Sequence, residues 1–350
     1  MIDTTHRDTA PATSSFSAPA SITLGRHAKE LLPGLVTVLA IALLATGLQH
    51  ASGIAALSPL MLAMVLGIAL RNTVGMGPSI AAGVKFSLRR ILRGAIILLG
   101  FQLTLAQLAD AGLAGFLAVA TTLVATFVFI THAGRWLGVD RSLTQLIAAG
   151  TSVCGASAVV ATNTVTRGSD EDVAYAIACV TVFGSLSMLL FPVIGPAIGL
   201  GHTDFGLWVG ASIHEVAQVT GAAFQGGLEA GQSGTVAKLA RVMLLAPLIG
   251  TLGALARRRG SSDATGAAQT PWFVIGFVAV VVANSIWPLS GTAKDAVVIG
   301  TAFMLTIALA AMGLETDMRK LWAKGVRPLA LGALGWLFIS AFALAAISLI

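Results

Sequence analysis

The sequence has little charge and almost no means of forming disulfide bonds. Charged residues make up 10% of its 350 residues, and its two cysteines, Cys154 and Cys179, both lie within apolar segments. A soluble domain normally carries about 25% charged residues, so an ordinary soluble domain is excluded. Two isolated cysteines do not form the framework of a disulfide-rich secreted protein. The sequence also lacks a G-x-x-x-x-G-K-[ST] motif, which argues against a primary pump within this chain.

Hydrophobic residues are abundant instead, at 56%, and the mean hydropathy is +0.89. Apolar runs long enough to cross the roughly 30 Å hydrocarbon core of a bilayer recur along nearly the whole chain. They predict an all-α polytopic membrane protein with about eleven transmembrane helices. The predicted spans lie near residues 31–49, 54–71, 91–109, 113–132, 142–165, 173–199, 206–226, 237–256, 271–288, 296–313 and 328–349. Residues 78–90, with basic side chains on a mixed face, predict a short interfacial helix.

The basic residues predict the orientation of these helices. Residues 1–28 are rich in Ser, Thr, Ala and Pro and are predicted to form a disordered cytoplasmic tail, followed by a transmembrane transporter domain over residues 29–350. With the N-terminus inside, seventeen of the 21 Lys and Arg residues are cytoplasmic, and only Arg167, Lys238, Arg241 and Lys294 fall outside. The positive-inside rule therefore predicts a cytoplasmic N-terminus and a periplasmic C-terminus. The net charge of +6 needs no nucleic acid to explain it.

Two internal similarities suggest repeats. Gly100-Phe-Gln-Leu-Thr104 matches Gly313-Leu-Glu-Thr-Asp317, and the same offset also matches Leu108 with Leu321. The helices before these segments are predicted to run in opposite directions, as inverted repeats require. A second similarity, Gly150-Thr-Ser-Val with Gly210-Ala-Ser-Ile, joins segments predicted to run in the same direction. It therefore does not fit the same simple inverted repeat.

The segment from Gly150 to Ala158 interrupts an apolar run with glycine and hydroxyl residues. Irregular backbone at membrane depth is tolerated only beside protein or a water-filled cavity, and transporters place half-helix ends there to meet ions. The segment predicts a discontinuous helix whose hydroxyls and free N–H groups bind an oxyanion. Close packing of small residues is the alternative, and the residue types alone do not decide between the two. The candidate substrate-binding residues are Gly150, Thr151, Ser152, Cys154, Gly155 and Ser157.

A second candidate site contains Ser212, His214, Glu215 and Gln218 within another apolar segment. Ionisable groups inside a membrane usually face a cavity or a partner. We expect His214 and Glu215 to carry a coupling proton or to organise the cavity, and Ser212 and Gln218 to contact the substrate. A His–Glu pair that only ties helices together is the alternative. Gln218 stands where a zinc protease of the H-E-x-x-H type needs its second histidine, so neither a metal site nor an enzyme is predicted.

Lys238 and Arg241 lie three positions apart and share one helix face. They could attract anions into the pore, or receive Glu215 as an ion-pair partner. Extension of the side chain to the outer membrane interface is the alternative, above all for Lys238.

Four motifs together resemble one family. The segments Gly150–Ala158, Ile213–Val219, Lys238–Leu244 and Ala311–Asp317 are similar, in this order, to the YeiH-type sulfate exporter family of bacteria. The likeness covers nearly everything after residue 30. It implies a kinship with cation–proton antiporters and bile-acid transporters, two inverted repeats, crossed discontinuous helices and an inner-membrane location. It also implies a sulfate-like or organosulfonate anion as substrate.

These observations predict a secondary active transporter that exports a small anion by alternating access, without a cofactor. A proton or sodium is the expected coupling ion, and the lipid bilayer the expected surroundings. An oligomeric state is left open. The alternatives are a sodium–proton antiporter, which needs a buried carboxylate such as Glu215, a passive channel, and an intramembrane hydrolase.

Overall fold

The computed structural model describes residues 20–52, 58–106, 112–258, 272–322 and 324–350, with side chains from Lys29 onward. Every regular element in these residues is a helix, which confirms the predicted all-α class. Residues 1–19 of the predicted tail lie outside the described residues, and the first helix begins at Ala20.

The first helices are α1 (Ala20–Ser52), α2 (Pro59–Thr73), α3 (Pro78–Phe86), α4 (Leu92–Leu99) and α5 (Gly112–Trp136). A π-helical turn, Ser87–Ile91, joins α3 to α4 without a break, and a 3-10 turn follows at Gly100–Gln102. The prediction of a separate interfacial helix at 78–90 is therefore wrong. Its basic residues lie on the first part of a longer helix, because the π turn carries the backbone hydrogen bonding through them.

The remaining helices are α6 (Arg141–Ser152), α7 (Ala156–Thr166), α8 (Asp170–Ala197), α9 (His202–Ser212), α10 (Val216–Ala223), α11 (Leu228–Met243), α12 (Leu245–Arg258), α13 (Trp272–Ile286), α14 (Gly291–Glu315) and α15 (Val326–Ile347). Short 3-10 turns lie at Phe224–Gly226 and Met318–Leu321.

Within the described residues, six helical segments are long and apolar enough to cross a membrane: Lys29–Ser52, Gly112–Trp136, Asp170–Ala197, Leu228–Arg258, Gly291–Glu315 and Val326–Ile347. Helices α2 and α13 are apolar but shorter, with 15 residues each. A multi-pass membrane protein is therefore supported, whereas the predicted count of about eleven transmembrane helices is not confirmed.

The long helix α8 begins where local sequence favours a helix start. The Ser169 side chain accepts a hydrogen bond from the Asp172 N–H, and three acidic residues, Asp170, Glu171 and Asp172, occupy the first turn. Such a cap satisfies an orphan N–H, and the acidic side chains favour the positive end of the helix dipole. The sequence thus defines the start of α8 locally.

Helices α6 and α7 form a hairpin that enters the membrane and returns to the same side. Ser142, at the start of α6, donates to the Asp172 carboxylate at the start of α8, 3.2 Å away. Gly168, just beyond α7, packs against Leu146, and Gly150 near the other end packs against Val159. These contacts run in antiparallel order. The segment predicted as the transmembrane span 142–165 is therefore a re-entrant hairpin, and its tip is Val153–Gly155.

Helices α9 and α10 form a second re-entrant hairpin, with its tip at Ile213–Glu215. His202 Nδ1, at the start of α9, lies 2.6 Å from Gly226 O, just beyond α10. Ser233 on α11 donates to Thr203 O at 3.2 Å. The starts of α9 and α11 and the end of α10 therefore meet at one level. The predicted span 206–226 also turns back at its middle.

Helix α8 shows that the two hairpins enter from opposite ends. Its 28 residues extend for about 42 Å at 1.5 Å per residue. Its first turn contacts the base of the α6–α7 hairpin through Asp172, and its last part contacts the α9–α10 hairpin near its base, where a Cβ atom on Gly195 would lie 2.4 Å from the Phe205 ring. Near its middle, Thr181 accepts a hydrogen bond from Gln218. The hairpin tips therefore meet about halfway along α8.

An ion pair shows why the first hairpin cannot be a straight span. Lys324, between α14 and α15, lies 2.6 Å from the Asp172 carboxylate, whose hydrogen bond raises the pKa of Lys324 above its ordinary value. A straight span at 142–165 would place Asp172 on the opposite side of the membrane from Lys324. The hairpin places Arg167, Asp172 and Lys324 at one end of the molecule, which we call the Lys324 end; the opposite end is the His202 end.

The helices pack as two bundles. The scaffold bundle contains α1–α4, α13 and α14, and the hairpin bundle contains α5–α11 and α15. Within the scaffold bundle, α2 and α14 cross so closely that a Cβ atom on Gly67 would lie 2.6 Å from Ala310 O. Arg71 bonds Asp317 at 3.0 Å beside this crossing. The two bundles touch mainly through α10 against α14 and α2, while α12, which follows α11, lies against α7.

The hairpin topology predicts that residues 167 and 320 are accessible from one side of the membrane and residue 294 from the other. Cysteine variants Arg167→Cys, Lys320→Cys and Lys294→Cys should be separated in intact cells by a thiol reagent that does not cross the membrane. Arg167→Cys and Lys320→Cys should behave alike and opposite to Lys294→Cys. If Arg167→Cys is labelled from the same side as Lys294→Cys, the segment 142–165 is a straight span and the hairpin topology is wrong.

Candidate functional site at the hairpin tips

The two hairpin tips meet through interrupted backbone. Helix α6 ends at Ser152 and α7 begins at Ala156, and between them Gly155 has φ +65° and ψ −131°. That conformation is open mainly to glycine. A Cβ atom on Gly155 would also lie 2.5 Å from Glu215 Oε1 of the other hairpin. Glycine is needed here both for the turn and for the approach of the carboxylate.

Lys238 of α11 is fully buried between the tips. Its ammonium group donates to the carbonyl oxygens of Val153 at 2.7 Å and Ile213 at 2.9 Å, and also to that of His214. An ammonium group has three donors, so all of them are used. Lys238 therefore joins the two tips, and the alternative in which it extends to the membrane interface is wrong.

Arg241, one helical turn further along α11, is also 0% exposed. Its guanidinium group donates to Thr151 O at 2.8 Å and Ser152 O at 3.2 Å on the first hairpin. It also donates to Ile213 O at 2.9 Å and Gly210 O at 3.2 Å on the second. No ion pair joins Arg241 to Glu215, both of which the structure describes. Arg241 is therefore bonded to backbone and not to the carboxylate that the sequence suggested as its partner.

The chemistry of Lys238 and Arg241 follows from helix polarity. The last carbonyl groups of a helix lack intrahelical donors and carry partial negative charge. Helices α6 and α9 both end in the middle of the molecule, at about half the length of α8. The two cations supply seven hydrogen bonds to these carbonyl groups. They therefore stabilise two helix ends that could not otherwise be buried.

Glu215 plays the opposite part at the starts of α7 and α10. Its Oε1 atom accepts a hydrogen bond from Ala156 N–H at 3.0 Å, and its side chain also accepts from the backbone of Gln218 in a capping box. Helix N-termini carry partial positive charge and favour an anion. Unlike the two cations, Glu215 is only half-buried. Its carboxylate is thus an anion held by two half-helices at a partly accessible position.

Gln218 fastens the second tip to α8. Its Oε1 atom accepts from Glu215 N–H at 3.1 Å, and its Nε2 atom donates to Thr181 O at 3.0 Å and Ser185 Oγ at 3.3 Å. Gly184 on α8 leaves the space for this amide, because a Cβ atom there would lie 2.1 Å from Gln218 Oε1. The amide that stands at the second histidine position of a zinc motif is therefore committed to hydrogen bonds.

The other candidate residues lie near the tips in different roles. Ser152 and Ser212 are buried, and each hydroxyl donates to a carbonyl one turn back in its own helix, Ala148 O and Trp208 O. Gly150 packs against Val159 and Val180. Ser157, in contrast, is exposed on α7, and Cys154 is buried at the tip. Their roles in substrate binding remain predictions.

His214 is buried at the tips with an unused ring atom. It is 1% exposed, and its Nδ1 has no hydrogen-bond partner among the described residues. Its backbone carbonyl, by contrast, accepts from Lys238. A buried polar atom without a partner is uncommon in a settled core and is expected where a ligand or proton is handled.

Sequence reasoning missed the contribution of α8 to the site. Thr181 and Ser185, four positions apart on one helix face, receive the Gln218 amide. Thr181 accepts through its backbone carbonyl, which any residue would supply, so the Ser185 hydroxyl was the available signal. It is weak, because hydroxyl groups in membrane helices commonly bond their own backbone, as those of Thr181 and Ser185 also do.

The chain is similar to a group of bacterial membrane proteins. The family model described as Conserved hypothetical protein 698 matches residues 33–332. A UPF0324 membrane protein of Pseudomonas aeruginosa is 41% identical over 333 residues, covering 89% of this chain and 92% of the relative. The UPF0324 inner membrane protein YeiH of Escherichia coli K12 is 34% identical over 334 residues, 91% of this chain and 95% of the relative. The YeiH protein of Salmonella typhi is 36% identical over 335 residues, with 91% and 95% covered. No solved structure matches.

Removing the Lys238 ammonium group should prevent stable folding. Lys238→Met keeps much of the side-chain volume but leaves the buried carbonyl groups of Val153 and His214 without a donor, at about 1–3 kcal/mol each, while Ile213 O keeps only its bond from Arg241. We expect a large fall in the thermal unfolding midpoint in detergent, or no folded protein. Lys294→Met, which removes an exposed lysine, is the control and should unfold like the parent. Equal midpoints for the two variants would contradict the role of Lys238.

A methyl group on Gly155 should also destabilise the tips. Gly155→Ala forces alanine into a sparsely populated conformation, at about 1–3 kcal/mol, and places its Cβ against the Glu215 carboxylate. The thermal midpoint should fall, while Gly250→Ala, which lies within α12 and where no atom lies within 4 Å of the added Cβ, should not lower it, because alanine favours the helix. The idea fails if both alanine variants unfold at the same temperature.

Proposed function

The chain belongs to the UPF0324 family of inner-membrane proteins, and from this premise we propose that it is a secondary active transporter that moves a small anion by alternating access. One observation carries the proposal. Two re-entrant hairpins from opposite ends of the molecule meet halfway along α8 around fully buried Lys238 and Arg241. Interrupted helices and buried charge at this depth are costly, and they are typical of transporters that hold substrate at the membrane midplane.

The proposal includes inverted repeats. The offset that matches Gly100 with Gly313 also matches the start of α2, Pro59, with the start of α13, Trp272. The same offset matches the starts of α3 and α14, at Pro78 and Gly291. Because the hairpins enter from opposite ends, the similarity between their tips supports an inverted relation after all. In the first half of the chain the α6–α7 hairpin then follows the matching helices α2 and α3. In the second half the α9–α10 hairpin precedes the matching helices α13 and α14.

We also propose that the Lys324 end faces the cytoplasm. Lysine and arginine are enriched in cytoplasmic loops. The hairpin topology adds Arg167 to this end, whereas Lys294 begins α14 at the other. The N-terminus is then cytoplasmic and the C-terminus periplasmic. The basic residues that cluster at this end are Arg71, Arg319, Lys320, Lys324 and Arg327.

Formal charge at the tips favours an anionic substrate. Lys238 and Arg241 carry two positive charges and Glu215 one negative charge, which leaves an excess of positive charge in a buried region. A small anion would balance it. The Ala156 and Gln218 N–H groups, which now hold the Glu215 carboxylate, are the donors that such an anion would use, with the exposed Ser157 hydroxyl nearby. Glu215 would then leave this position when it takes up a proton.

The sodium–proton antiporter is the weaker alternative. Sodium prefers oxygen ligands, and the free carbonyl groups of interrupted helices commonly provide them. Here the carbonyl groups of both α6 and α9 are bonded to Lys238 and Arg241. A sodium ion would have to displace the Lys238 ammonium or the Arg241 guanidinium group from these carbonyl oxygens.

Counterflow in proteoliposomes tests the proposal directly. Vesicles loaded with unlabelled sulfate, sulfite, taurine or chloride should accumulate the matching labelled anion if that anion is the substrate. Accumulation of none of them, together with sodium-dependent proton flux, would favour the antiporter. Flux that shows no counterflow would indicate a channel.

Glu215→Gln should separate proton coupling from substrate binding. The variant keeps a carbonyl oxygen for Ala156 N–H but loses the charge and the exchangeable proton. We expect anion counterflow to persist and the response to a pH gradient to disappear. Asp295→Asn, at an exposed position near the start of α14, should retain both activities. Proton-driven transport by Glu215→Gln would remove Glu215 from the coupling step.

A further inference from the structure

The second arms of the two hairpins differ sharply in burial. All eight residues of α10 are buried, whereas only Ala158, Val159 and Thr162 of the eleven residues of α7 are buried. Both helices begin immediately after a hairpin tip, α7 at Ala156 and α10 at Val216. Similar elements therefore have different surroundings in the same structure.

Matched positions show the difference residue by residue. The offset that matches Gly150 with Gly210 also matches Ser157 with Ala217, and Val160 with Thr220. Ser157 is exposed, whereas Ala217 is 0% exposed. Val160 is 55% exposed, whereas Thr220 is 0% exposed. One helix face thus changes from open to closed between the first hairpin and the second.

The scaffold bundle contributes to the cover of α10. A Cβ atom on Gly221 would lie 2.9 Å from Met188 Sδ on α8 and 3.2 Å from Leu309 Cδ1 on α14. Met64 of α2 belongs to the same buried cluster as Ala217 and Val219. The α9–α10 hairpin is therefore closed against the scaffold. In the part of the chain that the structure describes, the corresponding face of α7 is left largely uncovered.

The open face of α7 carries two exposed hydroxyl residues, Ser157 and Thr164, together with the exposed Val160. Ser157, Ala161 and Thr164 recur every three to four positions and so lie on one side of the helix. The helix extends for about 16 Å at 1.5 Å per residue, from its end beside Arg167 to the tip. There the half-buried Glu215 carboxylate meets Ala156 N–H, and the unpartnered Nδ1 of His214 belongs to the adjoining residue.

We infer that the Ser157–Thr164 face of α7 lines the path by which the substrate anion reaches the hairpin tips from the Lys324 end. This inference rests on the proposed function and adds to it the side that is open in this conformation. The path runs along α7 towards the tips, and the packing of α10 against the scaffold bundle closes it at the His202 end.

The same reasoning describes the opposite state. If the repeats exchange their surroundings, α10 moves away from α14, and α7 packs against α4. Ile96 of α4 is the residue that the longer offset matches with Leu309 of α14, and it would cover Ala161 as Leu309 now covers Gly221. The substrate would then reach the tips from the His202 end along the Ala217 face.

Thiol labelling of matched positions tests the path. The test treats four cysteine variants in inside-out membrane vesicles with a charged, water-soluble thiol reagent: Ser157→Cys, Thr164→Cys, Ala217→Cys and Thr220→Cys. Ser157→Cys and Thr164→Cys should react at least about tenfold faster than the two α10 variants, a ratio that corresponds to ~1.4 kcal/mol. The parent protein gives the background rate of labelling. We expect this rate to be low, because its two cysteines, Cys154 and Cys179, are 5% and 1% exposed.

A control at a lipid-facing residue distinguishes exposure to water from exposure to lipid. Val124→Cys, at a residue that is 58% exposed on the apolar surface of α5, should not react, because a charged reagent stays out of lipid. An anion that gives counterflow should also slow the labelling of Ser157→Cys. Equal reaction of Ser157→Cys and Ala217→Cys, or a Ser157→Cys as inert as Val124→Cys, would overturn the path.

The labelling result and the transport result fail separately. If the protein transports an anion but Ser157→Cys is not labelled, or is labelled more slowly than Ala217→Cys, the path is wrong and the proposed function is still supported. Labelling as expected without transport of any anion in the panel would reject the proposed function, and with it the assignment of this face to a substrate.

Discussion

The fold depends on one constraint, which is that four helix ends lie halfway across the molecule and must find hydrogen-bond partners there, with the carboxyl ends of α6 and α9 buried. The carboxyl ends of α6 and α9 receive the Lys238 and Arg241 donors, and the amino ends of α7 and α10 receive the Glu215 carboxylate. In a membrane no other solvent can replace these partners. Each charged side chain is placed opposite the helix end whose partial charge it complements.

Because the same side chains bond both hairpins, the tips form one unit. Lys238 and Arg241 each bond carbonyl groups from the two hairpins, and Glu215 bonds the amino ends of both. Gln218 then ties this unit to the middle of α8. Under the proposed function, the hairpin bundle would move as a body against the scaffold bundle, which it touches mainly through α10. Rigid-body motion of one bundle against another is a common route to alternating access.

The helix starts of the two halves of the chain match, whereas the burial of α7 and α10 differs. The helix starts match at one constant offset in the outer helices and at a second, shorter offset in the hairpins. Under the proposed alternating access, such matching would allow two related states of similar packing. In this structure the scaffold bundle packs against α10 through Leu309, whereas Ser157 and Val160 of α7 are exposed. Positions that match at the shorter offset therefore differ in burial within one structure.

The sequence by itself determined the membrane class, the helical fold, the interruption after Gly150 and the presence of ionisable residues at membrane depth, because composition and apolar run length are local properties. It did not reveal that the segments 142–165 and 206–226 turn back. An apolar run of this length suits a straight span and a hairpin equally, and for the first segment the contact of Ser142 and Lys324 with Asp172 separates them. The tertiary structure alone decided that Lys238 and Arg241 bond backbone carbonyl groups while Glu215 bonds N–H groups. Those partners come from elements far apart in the chain, and their pairing depends on which helix ends the fold brings together.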